Sequence, residues 1–447
     1  MLDDACHVRM PANLGVDDMD AAYNRRPNYD DFDLRKLNLK HAHSYLFLPA
    51  NSTRSDGWAA AMHASQHPRH CSRYLLVKDD LSHCGLGWTA RLHSTALLLA
   101  MRQSRVLMEV PLHANGSHSR WCTQPPFTLQ CIYNPWTHCP MPTPSTIISH
   151  EEFCKNRTHH HNCHIGLLPH ATAISLRLTT ILRSTAWWQL AGARPGAQAV
   201  FAASHRALFG SPRKWVLDLV ECTMRVAGLR PGRFQSIHVR LSPEKALEVA
   251  KSGKVLPETN SYCTMARAAA QVTGVRNVFV QTANPEALHN LTQQCGASLN
   301  ISYTNNPRVE KDAWGGWVND ADVISQQTAV GAVNAQIAKQ AAVFISPSTS
   351  IWTTFINYLM GADDGDFTAK SMLSTSYQCA PATRSRLKVG YLRLAAHKER
   401  LGDALFEKAW SGLPEAVRDI AGQNDGAAAA GTACRMVGAP RDSLSAH

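Results

Sequence analysis

No C-x-x-C pair occurs among the 13 cysteines, which argues against a zinc ribbon or a thioredoxin-type site. No apolar run approaches the ~18 residues that a membrane-spanning helix needs. The Gly-x-Ser-x-Gly elbow of α/β hydrolases is missing. Ser242-x-x-Lys245 has the spacing of a penicillin-binding serine motif, but the companion Lys-Thr-Gly triplet is absent. No repeat of fixed period is visible. Charged residues make up only 18% of the chain, which excludes a coiled-coil or disordered composition. Lys and Arg outnumber Asp and Glu by 45 to 34, giving a formal charge of +11. These basic residues are scattered rather than striped along one helix, so a nucleic-acid partner is not expected. An anionic ligand of some kind remains open.

What is present is enough apolar material for sizeable cores: 45% of 447 residues. At about 150 residues per domain, two or three domains are expected. Cys122, Cys131, Cys139, Cys154 and Cys163 crowd one stretch, with Cys71 and Cys84 upstream. Clustered cysteines without zinc spacing read as disulfides and hence as an oxidising lumen. Asn-x-Ser/Thr triplets at Asn51, Asn115, Asn156, Asn290 and Asn300 point the same way, weakly. The first twenty residues are acidic and contain no signal-peptide core. The expectation is therefore that the natural start lies upstream, the alternative being a cytosolic protein.

Five segments can be drawn. Residues 1–45 form a polar, acidic arm, and 46–205 an open α/β, Cys-rich domain. Residues 206–365 form a Rossmann-like domain, 366–422 a basic helical extension, and 423–447 a disordered tail. In the first domain, Tyr74 to Val77 is a strand, Gly85-Leu86-Gly87 a turn, Trp88 to Arg102 a helix, and Val106 to Val110 a strand. A loop-rich segment over about 111–170 follows. In the second, Val216, Leu219 and Val220 share a helix face that Gly228 and Pro231 close off. Ile237–Val239, Val278–Val280, Ile301–Tyr303 and Val343–Ile345 are strands separated by helical patterns. That alternation implies a parallel sheet, and such sheets bind ligands beyond the carboxyl ends of their strands.

The strongest local constellation is His238-Val239-Arg240 followed by Ser242-Pro243-Glu244. Ser242 is suited to cap a helix and Pro243 to begin it. A helix N-terminus offers free N–H groups, and Arg240 adds a donor fork matched to phosphate oxygens. A diphosphate fits there; a surface ion pair at Arg240 and a core histidine at His238 are the bland alternatives. Gly85 and Gly87 would let backbone approach a ligand, or form an ordinary strand-to-helix turn. Glu244 and Glu248 lie one helical turn apart, and a carboxylate there could take a proton from a hydroxyl. His159-His160-His161-Asn162-Cys163-His164 resembles a metal tract, but consecutive residues rarely converge on one ion. Asp18-Met19-Asp20, Asp31-Phe32-Asp33 and Asp320-Ala321-Asp322 match a short acidic metal–nucleotide motif too brief to inform. Asp312-Ala313-Trp314-Gly315-Gly316-Trp317 suits a sugar-stacking lid or a packed surface loop, and Trp187-Trp188 suits interdomain core.

Several of these segments, in order, resemble the α-1,6-fucosyltransferases and related GDP-fucose-dependent glycosyltransferases. They are Cys84-Gly85-Leu86-Gly87, Pro126-Phe127 with its neighbouring cysteines, Trp187-Trp188-Gln189, Ile237-His238-Val239-Arg240, Val278-Phe279-Val280-Gln281-Thr282, and Phe344-Ile345-Ser346 through Ser350. They span roughly residues 71–360. The resemblance implies a GT-B-like α/β fold, with an open α/β first domain and a Rossmann-type nucleotide-binding domain. It implies inverting, metal-independent transfer of fucose from GDP-fucose to a glycan or glycoprotein, with no cofactor, in the Golgi or secretory lumen. It places His238 by guanine, Arg240 on phosphate, Ser350 and Asn334 on the donor, Gly85 and Gly87 in the Gly-rich loop, and Glu248 as catalytic base. Lys245 stands one position beyond the family's lysine, which is Glu244 here. The family's second arginine is Leu241, its paired aspartates are Ala283-Asn284, and its guanine-binding aspartate is Asn334. These departures keep open a non-catalytic carbohydrate- or nucleotide-binding relative. The SH3-like domain and the coiled-coil stem of vertebrate members are not recognisable.

Overall fold

The computed structural model describes residues 55–80, 85–111, 121–122, 128–150, 171–178, 181, 197–241, 258–304, 306, 321–347, 350–364 and 387–389. The first unit contains helix α1 (Ser55–Gln66), strand β1 (Tyr74–Lys78), helix α2 (Leu86–Arg102), β2 (Val106–Val110), β3 (Ile147–Ser149), β4 (Ala173–Arg177) and α3 (Ala197–Phe209). The second contains α4 (Lys214–Val226), β5 (Gln235–His238), α5 (Thr259–Thr273), β6 (Asn277–Gln281), α6 (Pro285–Cys295), β7 (Asn300–Ser302), α7 (Ala321–Lys339), β8 (Val343–Pro347), α8 (Ile351–Asp364) and β9 (Leu387–Val389). The expected α/β class is present as two sheets.

The first sheet runs β2-β1-β4-β3, all parallel. The second runs β7-β6-β5-β8-β9, parallel except for β9. The second order reverses once, between β5 and β8. Beside such a reversal the connections leave in opposite directions and open a crevice at the carboxyl edge.

Side chains alternate across the second sheet as strand geometry requires. Val278, Val280, Val343 and Ile345 face α5 and α6, while Phe279 and Phe344 face the opposite way. That second face belongs to a core shared with Leu75 and Leu107 of the first sheet. Phe209, Val333, Ala338 and Phe355, from the helices between the sheets, complete it. The two units are thus joined by continuous apolar packing.

Three segments differ from the sequence reading. Ala173–Arg177, not singled out as a strand, is buried in the first sheet between β1 and β3. Two-sided pairing decided this, because Ala-Ile-Ser-Leu-Arg carries little intrinsic strand preference. Ile147–Ser149, inside the stretch read as loop, supplies the edge strand. Leu387–Val389, within the span read as helical, pairs antiparallel with β8.

The Cys-rich reading is met by the bonds Cys71–Cys139 and Cys122–Cys131. A further bond, Cys263–Cys295, ties α5 to α6 and has no counterpart in the sequence reading. Among the described residues, no helix is long and apolar enough to cross a membrane.

Candidate functional site

The site lies at the reversal between β5 and β8. β5 ends on His238, and the chain after β8 reaches Ser350 just before α8. The His238 ring Nε2 and the Ser350 hydroxyl stand 3.2 Å apart, and both residues are buried. One of the two donates to the other, according to the tautomer of the ring. Burial, reinforced by the positive charge of Arg240, depresses the histidine to about 3, against a smaller opposing effect of the Gln281 carbonyl. His238 is therefore neutral at physiological pH and acts by hydrogen bonding. Positive charge at this edge comes from Arg240, which is half-buried two residues further on.

A polar chain supports the strand ends from beneath. Gln281, the last residue of β6, donates through Nε2 to the Ser236 hydroxyl at 2.7 Å. Its Oε1 accepts from the Trp352 indole at 3.3 Å. Its carbonyl accepts from the Val239 N–H at 2.9 Å. One side chain thereby links β5, β6 and the first turn of α8. Asn284 performs a parallel task in the next loop. Its Oδ1 caps α6 through the Ala287 N–H at 3.0 Å, and its Nδ2 donates to the Leu241 carbonyl. Asn284 thereby holds the segment leaving Arg240. The role of Trp352 was not legible in advance, although an indole two residues after Ser350 at a helix start was an available signal.

The glycine turn ahead of α2 meets this site from the first unit. A Cβ on Gly87 would lie 3.2 Å from the Trp352 nitrogen and 3.3 Å from the Ile351 carbonyl carbon. The close approach this glycine permits is thus to the backbone of α8. Gly85 is exposed, and a Cβ there would meet nothing within 4 Å. It leaves the N-terminal turn of α2 open beside the N-terminal turn of α8.

Asn334 belongs to the same neighbourhood. Gly331, one turn earlier on α7, would place a Cβ 3.6 Å from the Trp352 ring and 3.9 Å from Leu86. Residues three apart share a helix face. The Asn334 Oδ1 is buried and makes no hydrogen bond. An orphaned acceptor of that kind costs about 1–3 kcal/mol and is stabilised by any donor brought to it.

His238, Arg240 and Ser350 therefore stand at one edge, with Gly87 packed against the first turn of α8 beside them, from positions spread over more than half of the chain. Glu248 and Lys245, with Ser242, Pro243 and Glu244, lie outside the described residues. So do Trp187-Trp188, the His159–His164 tract, the aspartate pairs of the arm, and Asp312 through Trp317.

No family profile matches the chain. No curated protein matches it either. Among solved structures, the chain is similar to a mutant of Arabidopsis thaliana FUT1 in complex with GDP, at 11% identity and a TM-score of 0.42. The match covers 79% of this chain and 84% of the plant protein. Similarity of that degree leaves the role of each residue to be argued from its own geometry.

Proposed function

We propose that the chain is a glycosyltransferase that binds a GDP-sugar at the carboxyl edge of the second sheet. In this reading fucose passes from GDP-fucose to a hydroxyl of a glycan or glycoprotein, with inversion and without a metal. The observation that carries it is the convergence of His238, Arg240 and Ser350 at the strand-order reversal, ahead of a helix N-terminus. The ordered motif resemblance supports the choice of sugar and nucleotide.

Arg240 and the N-terminal end of α8 take the diphosphate, where negative charge grows as the glycosidic bond breaks. Neutral His238, held by Ser350 and the Gln281 carbonyl, lines the donor site with its ring without adding charge. Asn334 supplies an unpaired acceptor for the base, where the resembling family uses a carboxylate. Glu248 takes the proton from the acceptor hydroxyl as the new bond to the anomeric carbon forms. Lys245 adds a cation beside the leaving group. The setting that fits is the secretory lumen, in keeping with the Cys71–Cys139 and Cys122–Cys131 bonds.

The test is calorimetric titration with GDP, UDP and NAD in the presence of EDTA, followed by a sugar-transfer assay with GDP-fucose. Selective GDP binding and transfer, with transfer lost but binding kept in Glu248→Ala, is the expected result. Absence of nucleotide binding by folded protein overturns the proposal.

The second reading, a nucleotide- or carbohydrate-binding relative without turnover, is favoured by Asn284. That residue is engaged in capping α6 and holding the Leu241 carbonyl, where the resembling family carries acidic groups. GDP binding with neither transfer nor donor hydrolysis would select it.

A further inference from the structure

Far from the nucleotide edge, three side chains able to ligate a metal, Cys71, His138 and Cys139, converge beside the first sheet, and His67 stands next to His138. His67 follows α1, Cys71 precedes β1, and His138-Cys139 lies on the segment before β3. The two sulfurs are bonded to each other, and a His138 ring nitrogen lies within 4.8 Å of both. One of the Nδ1 atoms of His138 and His67 donates to the other at 3.0 Å, and that proton must leave if both bind a metal. Two nitrogens bound to one tetrahedral zinc at ~2.0–2.1 Å would sit roughly 3.3 Å apart. The histidine pair already has nearly that spacing.

The backbone around this cluster is held by bonds that do not depend on the disulfide. The Tyr74 hydroxyl donates to the Cys71 carbonyl at 3.1 Å. The Thr137 Oγ1 accepts from the Cys139 N–H at 3.1 Å and donates to the Gln66 carbonyl at the end of α1. Gln66 in turn accepts from the Leu107 N–H of β2 at 3.1 Å. None of these contacts is made by either sulfur.

We propose that, once this disulfide is reduced, His67, Cys71, His138 and Cys139 form a Cys2His2 site for one zinc-class divalent cation. The disulfide and the metal are then alternative cross-links of the same two segments. A phosphine or thiol reductant gives two electrons to the sulfur–sulfur bond, which breaks to yield two thiols. A phosphine leaves as its oxide with oxygen from water, and a thiol leaves as its own disulfide. The incoming cation displaces both thiol protons to solvent and is itself neither oxidised nor reduced. In the oxidised chain the sulfurs offer no thiolate, and two imidazoles fall short of the four ligands of a structural zinc site.

The experiment titrates full-length protein with Co2+ after mild phosphine reduction and anaerobic desalting, then adds Zn2+. One equivalent should give the visible bands of tetrahedral cobalt with a thiolate charge-transfer band, both erased by Zn2+ and absent before reduction. Cys71→Ser and Cys139→Ser should abolish that equivalent. His67→Gln and His138→Gln keep the disulfide and should weaken binding about tenfold or more, since even outer-shell changes reach that size. Zn2+ should also protect Cys71 and Cys139 from alkylation, read by peptide mass spectrometry. The proposal is overturned by absence of cobalt bands, by bands that survive all four substitutions, or by unprotected Cys71 and Cys139. Loss of far-ultraviolet dichroism on reduction that metal does not restore overturns it as well.

Discussion

His238 and Ser350 are 112 positions apart in the chain, yet the imidazole Nε2 and the hydroxyl meet at 3.2 Å. The contact spans the two strands between which the order of the second sheet reverses. Arg240, two residues after His238 and half-buried, brings positive charge to that edge.

Arg240 is expected to dominate nucleotide affinity. Each hydrogen bond from a charged donor contributes about 1.5–3 kcal/mol, so Arg240→Ala should weaken GDP binding by roughly a hundredfold. Arg240→Lys keeps the charge but loses the planar fork, and should fall between the two. Ser350→Ala should cost less, around tenfold, because it removes a neutral partner. Calorimetry on the three variants decides this. Equal GDP affinity in Arg240→Ala and wild type would remove the arginine from the site.

Gly87→Ala tests the junction of the two units. The added carbon meets helix backbone, which cannot swing aside as a side chain can. Overpacking of this kind costs about 1–3 kcal/mol, and here it also displaces the turn that carries Ser350. A lower urea midpoint together with weaker GDP binding is the expected pair of changes. A midpoint equal to that of wild type would mean that α8 yields freely. Gly85→Ala, with open space around the new carbon, serves as the control.

Stability should fall on acidification through a window set by two buried histidines. Burial depresses His238 to about 3 and His205 to about 3; Arg240 adds to the effect at His238 and Arg91 at His205. In the unfolded chain each titrates near 6.5. Between these values the unfolded state binds more protons, so unfolding free energy rises with pH there and is lost as pH falls towards 3. His205 Nδ1 donates to the Phe201 carbonyl (2.8 Å) and lies 2.9 Å from the Ser94 hydroxyl, away from the nucleotide edge. Denaturant midpoints measured from pH 7 to pH 4 should decline steeply in wild type and less steeply in His205→Asn. Parallel slopes would show that His205 does not contribute.

Arg105 holds the amino ends of the first sheet. It is 1% exposed and donates to the carbonyls of Tyr74, Ala171 and Thr172. Burial lowers it to about 10, with the charge of Arg73 adding to the effect, so it remains protonated at neutral pH. Arg105→Leu removes these charge-assisted bonds, although the Thr172 carbonyl keeps the Tyr74 N–H, and should destabilise the protein by about 3 kcal/mol. A urea midpoint within error of wild type would contradict this. GDP affinity measured at low denaturant should stay unchanged, because the residue lies at the far edge from Arg240.

Much of the second unit was legible in the residues themselves. Val278-Phe279-Val280 and Val343-Phe344-Ile345 are short apolar runs between helical patterns, and both became central strands. Gly228, at φ +64°, ends α4 as its place after Val226 implied. Ala173–Arg177 was not legible, because a short run with Ala and Ser becomes a strand only when neighbours claim both of its edges. The Cys263–Cys295 bond was equally hidden, since pairing depends on which helices lie side by side.

The candidate site divides in the same way. His238 and Arg240 were visible as a strand end rich in polar groups, and Gly85 and Gly87 as a turn. Whether Gly87 faced a ligand or a helix could not follow from spacing; the answer is the backbone of Ile351 and Trp352. Nor could spacing reveal that Gln281 links Ser236 to Trp352, or that Asn284 holds Leu241.

The sequence by itself determined that two α/β units would form. Apolar periodicity and turn residues act over a few neighbours and need no distant partner. Only the tertiary structure decided which strand ends stand together, because strand order is settled by side-chain packing between segments far apart in the chain. His238 and Ser350 became neighbours through that packing, and the hydrogen bond between them could form only once β5 and β8 were aligned.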